Sequence, residues 1–176
     1  LAGAAKAFNL DFHGKTVLDV GSSTGGFTDF ALQHGAKKVY AVDVGTDQLH
    51  PSLRGNKRIE LYEKTDIRDF VPSEIPDIVV IDVSFISLRQ ILPHVAKIVD
   101  KNTTIVAMVK PQFEAQRQQL TRGGVVKNDG VRRAILREFE QWAHTNFIII
   151  NKADSEVKGA HGNLERFYIL RKAGSC

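Results

Sequence analysis

The chain has 176 residues, 43% of them hydrophobic and 25% charged, and 24 Lys and Arg against 20 Asp and Glu give a formal net charge of +4. That length and balance predict one folded domain with its own core and exclude a chain that must be stapled by disulfides. No apolar run approaches the ~18 residues that span a bilayer, and the single cysteine, Cys176, leaves no disulfide framework, so a reducing, cytoplasmic setting is expected. The positive excess is a mild lean toward polyanionic partners.

The chain opens at Leu1 without methionine, inside an alanine-rich stretch, residues 1–8, that reads as a helix end. It is therefore expected to be part of a longer polypeptide. A β-branched run at 17–20 then feeds Gly21, Gly25 and Gly26, with a helical pattern from 27 to 33. Strand, glycine turn and helix start form the corner at which α/β sheets bind cofactors, because glycine lets the backbone approach them closely. Two phosphate-binding versions of this corner fail. In a Walker A frame Phe27 stands where the lysine belongs, and in the dinucleotide frame Ser23 occupies the second glycine position. The second strand, 38–42, ends in Asp43, an acid placed to accept from a ribose diol. A glycine corner without lysine, followed by that acid, fits a nucleoside cofactor lacking phosphates, and S-adenosylmethionine is the common one.

Downstream, 46–53 is a turn or short helical segment limited by Pro51, 59–63 a third strand, and 66–70 a turn. Residues 77–83 are a continuous apolar run typical of a central parallel strand. A helix over 88–99 and a buried strand over 104–109 follow. Residues 111–128 show no clean period and are expected to form a long mobile loop. A helix over 131–145 turns Ile135, Phe139 and Trp142 toward the core. Strands at 147–152 and 166–170 close the chain around a loop at 155–163. The alternation predicts a class I methyltransferase arrangement: a Rossmann-like α/β fold, mostly parallel and seven-stranded, helices on both faces and an antiparallel edge.

Ligands in such sheets sit beyond the carboxyl ends of the strands. Collected there are the stretch from Gly21 to Gly26, Asp43, Asp66, Asp82 and Lys110. Asp66 reads either as an acceptor for an adenine amino group or as a turn cap. Asp82 and Lys110 end neighbouring central strands and can pair across a cleft, for structure or for chemistry. Glu165 follows a glycine-rich bend and is either solvated or functional. His161 reads as a loop histidine, and no histidine or cysteine spacing indicates a metal site. Ser84 lacks the G-x-S-x-G setting of a hydrolase nucleophile.

Six blocks then resemble one family. They are Leu18-Asp19-Val20-Gly21-Ser22-Ser23-Thr24-Gly25-Gly26-Phe27-Thr28, Val39-Tyr40-Ala41-Val42-Asp43-Val44-Gly45 and Asp82-Val83-Ser84-Phe85-Ile86-Ser87 in the first half. Val109-Lys110-Pro111-Gln112-Phe113-Glu114, Gly123-Gly124-Val125-Val126 and Gly162-Asn163-Leu164-Glu165 complete them. Nearly end to end, the chain resembles the TlyA, or haemolysin-A-like, family, whose methyltransferase domain is of the FtsJ type. The resemblance implies S-adenosylmethionine as cofactor and ribosomal RNA or ribosomal subunits as partner, with a methyl group passed to a ribose 2′-hydroxyl of cytidine. It places Gly21, Ser22, Ser23, Thr24, Gly25, Gly26, Phe27, Asp43, Val44, Asp66 and Asp82 at the cofactor. Asp82, Lys110 and Glu165 match the last three members of a Lys-Asp-Lys-Glu catalytic tetrad. The first lysine belongs to an Arg-Gly-Gly-x-Lys-Leu motif whose final residue corresponds to Leu1, so it and an S4-like domain are expected upstream. Ala160-His161 departs from the family's Gly-Pro-x-Gly. Arg117, Arg122, Lys127, Arg132 and Arg133 are expected to hold the RNA electrostatically. The rival readings are a non-catalytic protein that binds cofactor and RNA, and a membrane-active haemolysin.

Overall fold

A computed structural model describes residues 2–159 and 162–174. Leu1, Ala160, His161 and Cys176, each of which bears on an expectation above, lie outside the described residues.

Seven strands make one sheet in the order β3-β2-β1-β4-β5-β7-β6. They are β1 (Thr16–Val20), β2 (Lys38–Val42), β3 (Ile59–Tyr62), β4 (Ile78–Ile81), β5 (Thr104–Val109), β6 (Phe147–Asp154) and β7 (Arg166–Lys172). The first five are parallel, and β7 pairs antiparallel with both β5 and β6. Chain order reverses between β1 and β4, which opens a crevice above their carboxyl ends.

Period-two alternation sends the two sides of each strand into separate cores. Leu18, Val20, Val79, Ile81, Ile105 and Ala107 face α3 (Leu88–Ile98) and α5 (Asp129–Ala143). Val17, Val80, Val106 and Met108 face α1 (Ala2–Phe8) and α2 (Gly26–Gln33). Ile135 and Phe139 are buried as their spacing predicts, and Trp142 packs half-buried beside them. The edge strand β6 carries a register shift between Ile149 and Asn151, a common way for an edge to discourage further pairing.

One element departs from expectation. The segment read as a loop holds a short helix α4 (Pro111–Glu114), a 3-10 turn at Arg117–Gln119 and a bridge between Leu120 and Val126. Its order comes from contacts distant in sequence. Asn163 accepts from the Val126 amide at 3.0 Å, and Glu114 is anchored at the start of α3.

Candidate active site

The glycine corner is shaped by backbone approach. Gly21 has φ 81°, and a Cβ on it would stand 2.5 Å from the Asp82 carbonyl oxygen, so β1 and β4 close here only over a glycine. Gly25, at φ 93°, starts α2 against Leu49 and Leu53, where a Cβ would meet methyl carbons at 2.6 and 2.5 Å. The amides of Gly21 and Ser22 both donate to the Val42 carbonyl. Ser22 buries its hydroxyl without a partner, and Thr24 ties the corner to His50 through its carbonyl. Ser23 is left-handed at φ 47° and donates its amide to Asp43 Oδ2 at 2.7 Å. The Gly45 amide donates to the other oxygen of Asp43 at 2.7 Å. Two amides thus hold this carboxylate at the mouth of the crevice.

A cleft of about 350 Å³ lies between these turns, lined by Gly21, Ser23, Asp43, Val44, Asp66 and Asp82, with Ile67, Val83, Phe85 and Ile91 on its apolar side. Among the described residues, three carboxylates and no Lys, Arg or His line it. Two of these acids are paired, Asp66 with Arg68 and Asp82 with Lys110, which leaves Asp43 facing the cleft beside an apolar wall; an acceptor for a ribose diol next to apolar side chains fits the nucleoside part of S-adenosylmethionine. Of the residues expected at the cofactor, Ser22, Thr24, Gly25, Gly26 and Phe27 do not line this cleft; Phe27 lines a neighbouring one of about 520 Å³ with Asp82, Met108, Glu165 and Phe167. Asp66 is corrected in part. Its carboxylate accepts from the Arg68 amide and from two guanidinium nitrogens at 2.8, 2.9 and 2.6 Å, and the guanidinium holds its carboxyl below the usual range. It caps a turn, and any adenine contact competes with that pair.

The three expected catalytic residues come together. Lys110, directly after β5, places Nζ 2.6 Å from Asp82 Oδ1 across the crevice and donates to Ser84 Oγ at 2.9 Å. Asp82 Oδ1 is buried and takes no aligned hydrogen bond, so its hold on Lys110 is electrostatic attraction. Glu165 is 7% exposed rather than solvated. Burial raises its carboxyl pKa, against the opposing pull of Lys110 and a hydrogen bond from the Gln112 side chain. Gly159 is the floor under it, since a Cβ there would lie 2.3 Å from a carboxylate oxygen. Ser84, Phe85, Lys110, Gln112, Phe113 and Glu165 line a further pocket of about 300 Å³. Asp82 borders the first cleft, Glu165 borders this pocket, and Lys110, paired with Asp82, lines the pocket with Glu165. Phe85 is 91% exposed, with φ 65° and its ring centroid 5.2 Å from that of Phe113.

Among the basic residues, Arg117, Arg122 and Lys127 are exposed on the segment after α4. Arg133 is exposed but paired with Asp129. Arg132 is a correction. Its side chain is 9% exposed, its Nε donates to the Leu164 carbonyl at 2.9 Å, and its guanidinium pairs with Asp154. Its guanidinium is thus engaged in holding the segment leading into Glu165, and any phosphate contact would compete with Asp154.

Sequence reasoning passed over Ser84, Gln112, Glu114 and Asn163 as working parts. Their signal was present, since each lies inside a quoted block, but what they touch is distant in the chain. Glu114 accepts from Ser87 Oγ and the Leu88 amide, and Asn163 bridges to Gly124 and Val126.

A family profile described as FtsJ-like methyltransferase matches residues 1–173. The chain belongs to that family. Within it, the chain is similar to hemolysin A of Brachyspira hyodysenteriae, 42% identical over 163 residues that cover 90% of this chain and 68% of the relative. It is also similar to the 16S/23S rRNA (cytidine-2′-O)-methyltransferase TlyA of Mycobacterium tuberculosis, 39% identical over 175 residues, or 97% of this chain and 65% of that protein. A solved structure of a candidate hemolysin from Streptococcus thermophilus superimposes with a TM-score of 0.94 at 41% identity, covering 99% of this chain and 65% of that one. The chain thus spans about two thirds of the length of these members of the TlyA and hemolysin A branch. S-adenosylmethionine-dependent methyltransferases at 20% and 12% identity superimpose at TM-scores of 0.66 and 0.65, which shows the class I fold alone.

Proposed function

We propose that this FtsJ-family domain is the catalytic part of a ribosomal-RNA 2′-O-methyltransferase that uses S-adenosylmethionine. The observation that carries the reading is Lys110, held by Asp82 and Ser84 where the cleft of Asp43 meets a pocket containing Glu165. The TlyA relative named for cytidine-2′-O methylation supports the same chemistry.

Asp43 would take the ribose diol, and Val44, Ile67 and Ile91 the apolar faces of the nucleoside. The cofactor, when bound, supplies an electrophilic methyl on a sulfonium, so the protein's tasks are alignment and removal of one poorly acidic proton. Lys110 faces the attacking hydroxyl and polarises it as its oxygen becomes bonded to the methyl. Glu165, raised by burial, borders the same pocket and offers a place for the hydroxyl proton. Asp82 keeps Lys110 at the crevice. The exposed ring of Phe85 offers a stacking face to a base turned out of its helix.

Methyl transfer from labelled S-adenosylmethionine to separated ribosomal subunits, with the full-length natural chain, tests this. Lys110→Ala is expected to lower the rate by about 10²–10⁴-fold and leave cofactor affinity nearly intact. Equal loss of cofactor binding would remove Lys110 from the chemistry. Cofactor binding without transfer to any RNA would favour the non-catalytic reading.

A further inference from the structure

Lys110 has two neighbours, and they act differently. The ion contact to Asp82 is short, at 2.6 Å, but Oδ1 takes no aligned hydrogen bond. The charge of Asp82 anchors the ammonium in the crevice. The aligned bond goes to the Ser84 hydroxyl at 2.9 Å. Ser84 also stands on the boundary between the cofactor-type cleft and the pocket of Glu165, lining both.

Its place over Lys110 is built. The stretch from Asp82 to Leu88 and the stretch from Lys110 to Glu114 are cross-linked at both ends. Lys110 reaches Ser84 at one end, and Glu114, with a side chain 2% exposed, accepts from Ser87 and Leu88 at 2.6 and 2.7 Å at the other. Phe85, next to Ser84, is held in a left-handed conformation that a bulky residue adopts only when its surroundings enforce it. A hydroxyl that accepts from Lys110 keeps its own O–H free for the pocket.

From this geometry we infer that Ser84 is a positioning residue for methyl transfer, orienting Lys110 Nζ so that its remaining hydrogen-bonding direction points at the reacting hydroxyl. The inference rests on the methyl-transfer reading above and deepens it. Asp82 sets the charge and Ser84 sets the direction.

The test uses the full-length natural chain as wild type, Ser84→Ala and Ser84→Thr. Single-turnover transfer to ribosomal subunits is read beside cofactor affinity by calorimetry and melting temperature. Ser84→Ala is expected to slow transfer about 10- to 100-fold, the size of effect that a misplacement of about 1 Å produces, with cofactor affinity and melting temperature unchanged. Ser84→Thr, which keeps the hydroxyl, is expected to recover most of the rate. A second readout needs no turnover: the rate at which an amine-acylating reagent modifies Lys110, followed by mass spectrometry, should rise several-fold in Ser84→Ala and not in Ser84→Thr. Wild-type speed in Ser84→Ala, equal impairment in both variants, or unchanged acylation each overturns the assignment. Absence of transfer by the wild type on every RNA fraction, with acylation responding as expected, would sink the methyl-transfer reading and leave the Ser84–Lys110 coupling standing.

Discussion

Asp19 lies in the middle of β1, 1% exposed, with Thr28 Oγ1 donating to one oxygen at 2.7 Å and the other oxygen buried without a partner. Burial, reinforced by the charges of Asp82 and Asp43, pushes its pKa from 3.8 up to about 7, against the pull of Thr28. Between those values the folded chain keeps a proton that the unfolded chain has released. Stability at this site therefore falls as pH rises through that window and levels off above it. Asp19→Asn keeps the shape and removes the titration. Denaturant midpoints at about pH 5 and about pH 8 should converge in the variant and differ in the wild type. Equal drops in both proteins would mean that another buried acid, Glu114 or Glu165, dominates, since burial raises both.

At the scale of elements, Glu114 joins two that carry the site. The first turn of α3 has amides without intrahelical partners, and Ser87 and Glu114 satisfy them, Ser87 from within the helix cap and Glu114 from α4. Replacing Glu114 by Gln leaves one acceptor and turns an N–H₂ toward a donor. The expected cost is about 1–3 kcal/mol of stability, the range for an unsatisfied buried polar group. Amide exchange should quicken first at Leu88 and Arg89. Uniform acceleration across α3 instead would point to global unfolding and away from a local clasp. The short length of α4 makes sense on the same ground: four residues suffice when the last one is bonded to another helix.

For the whole molecule, charge distribution separates binding from folding. Arg117, Arg122 and Lys127 are exposed on the segment after α4, while Arg132 is enclosed and bonded to Leu164 and Asp154. Each side-chain cation withdrawn from a phosphate flattens the log–log salt dependence of RNA binding by about 0.7–0.9. Changing Arg117, Arg122 and Lys127 together to Gln should therefore reduce the slope by about 2–3, with little effect on melting. Arg132→Ala should do the reverse, lowering the melting temperature and leaving the slope alone. A slope unaffected by the triple change would place the RNA on another face.

The sequence by itself determined the sheet, its parallel character, the glycine corner after β1 and the charged residues Asp82, Lys110 and Glu165 at strand ends. Those are local signals: apolar runs of strand length, glycines where a turn demands them, and acids directly after β2 and β4. Thr104–Val109 is legible in this way to the residue. Beyond the Asp82–Lys110 pair, the tertiary structure decided which polar side chains meet. Arg132 and Arg133 are neighbours in a basic run, yet one side chain is 9% exposed and the other 64%, because the helix turns them by about 100° onto different faces. Asp66 pairs with Arg68 instead of standing open, Glu114 caps a helix 26 residues upstream, and Ser84 accepts from Lys110 across the same separation. The bonds of Glu114 and Ser84 join residues so far apart that they leave no period or spacing in the chain; they exist only once β4 and β5 lie side by side and bring their following loops into contact.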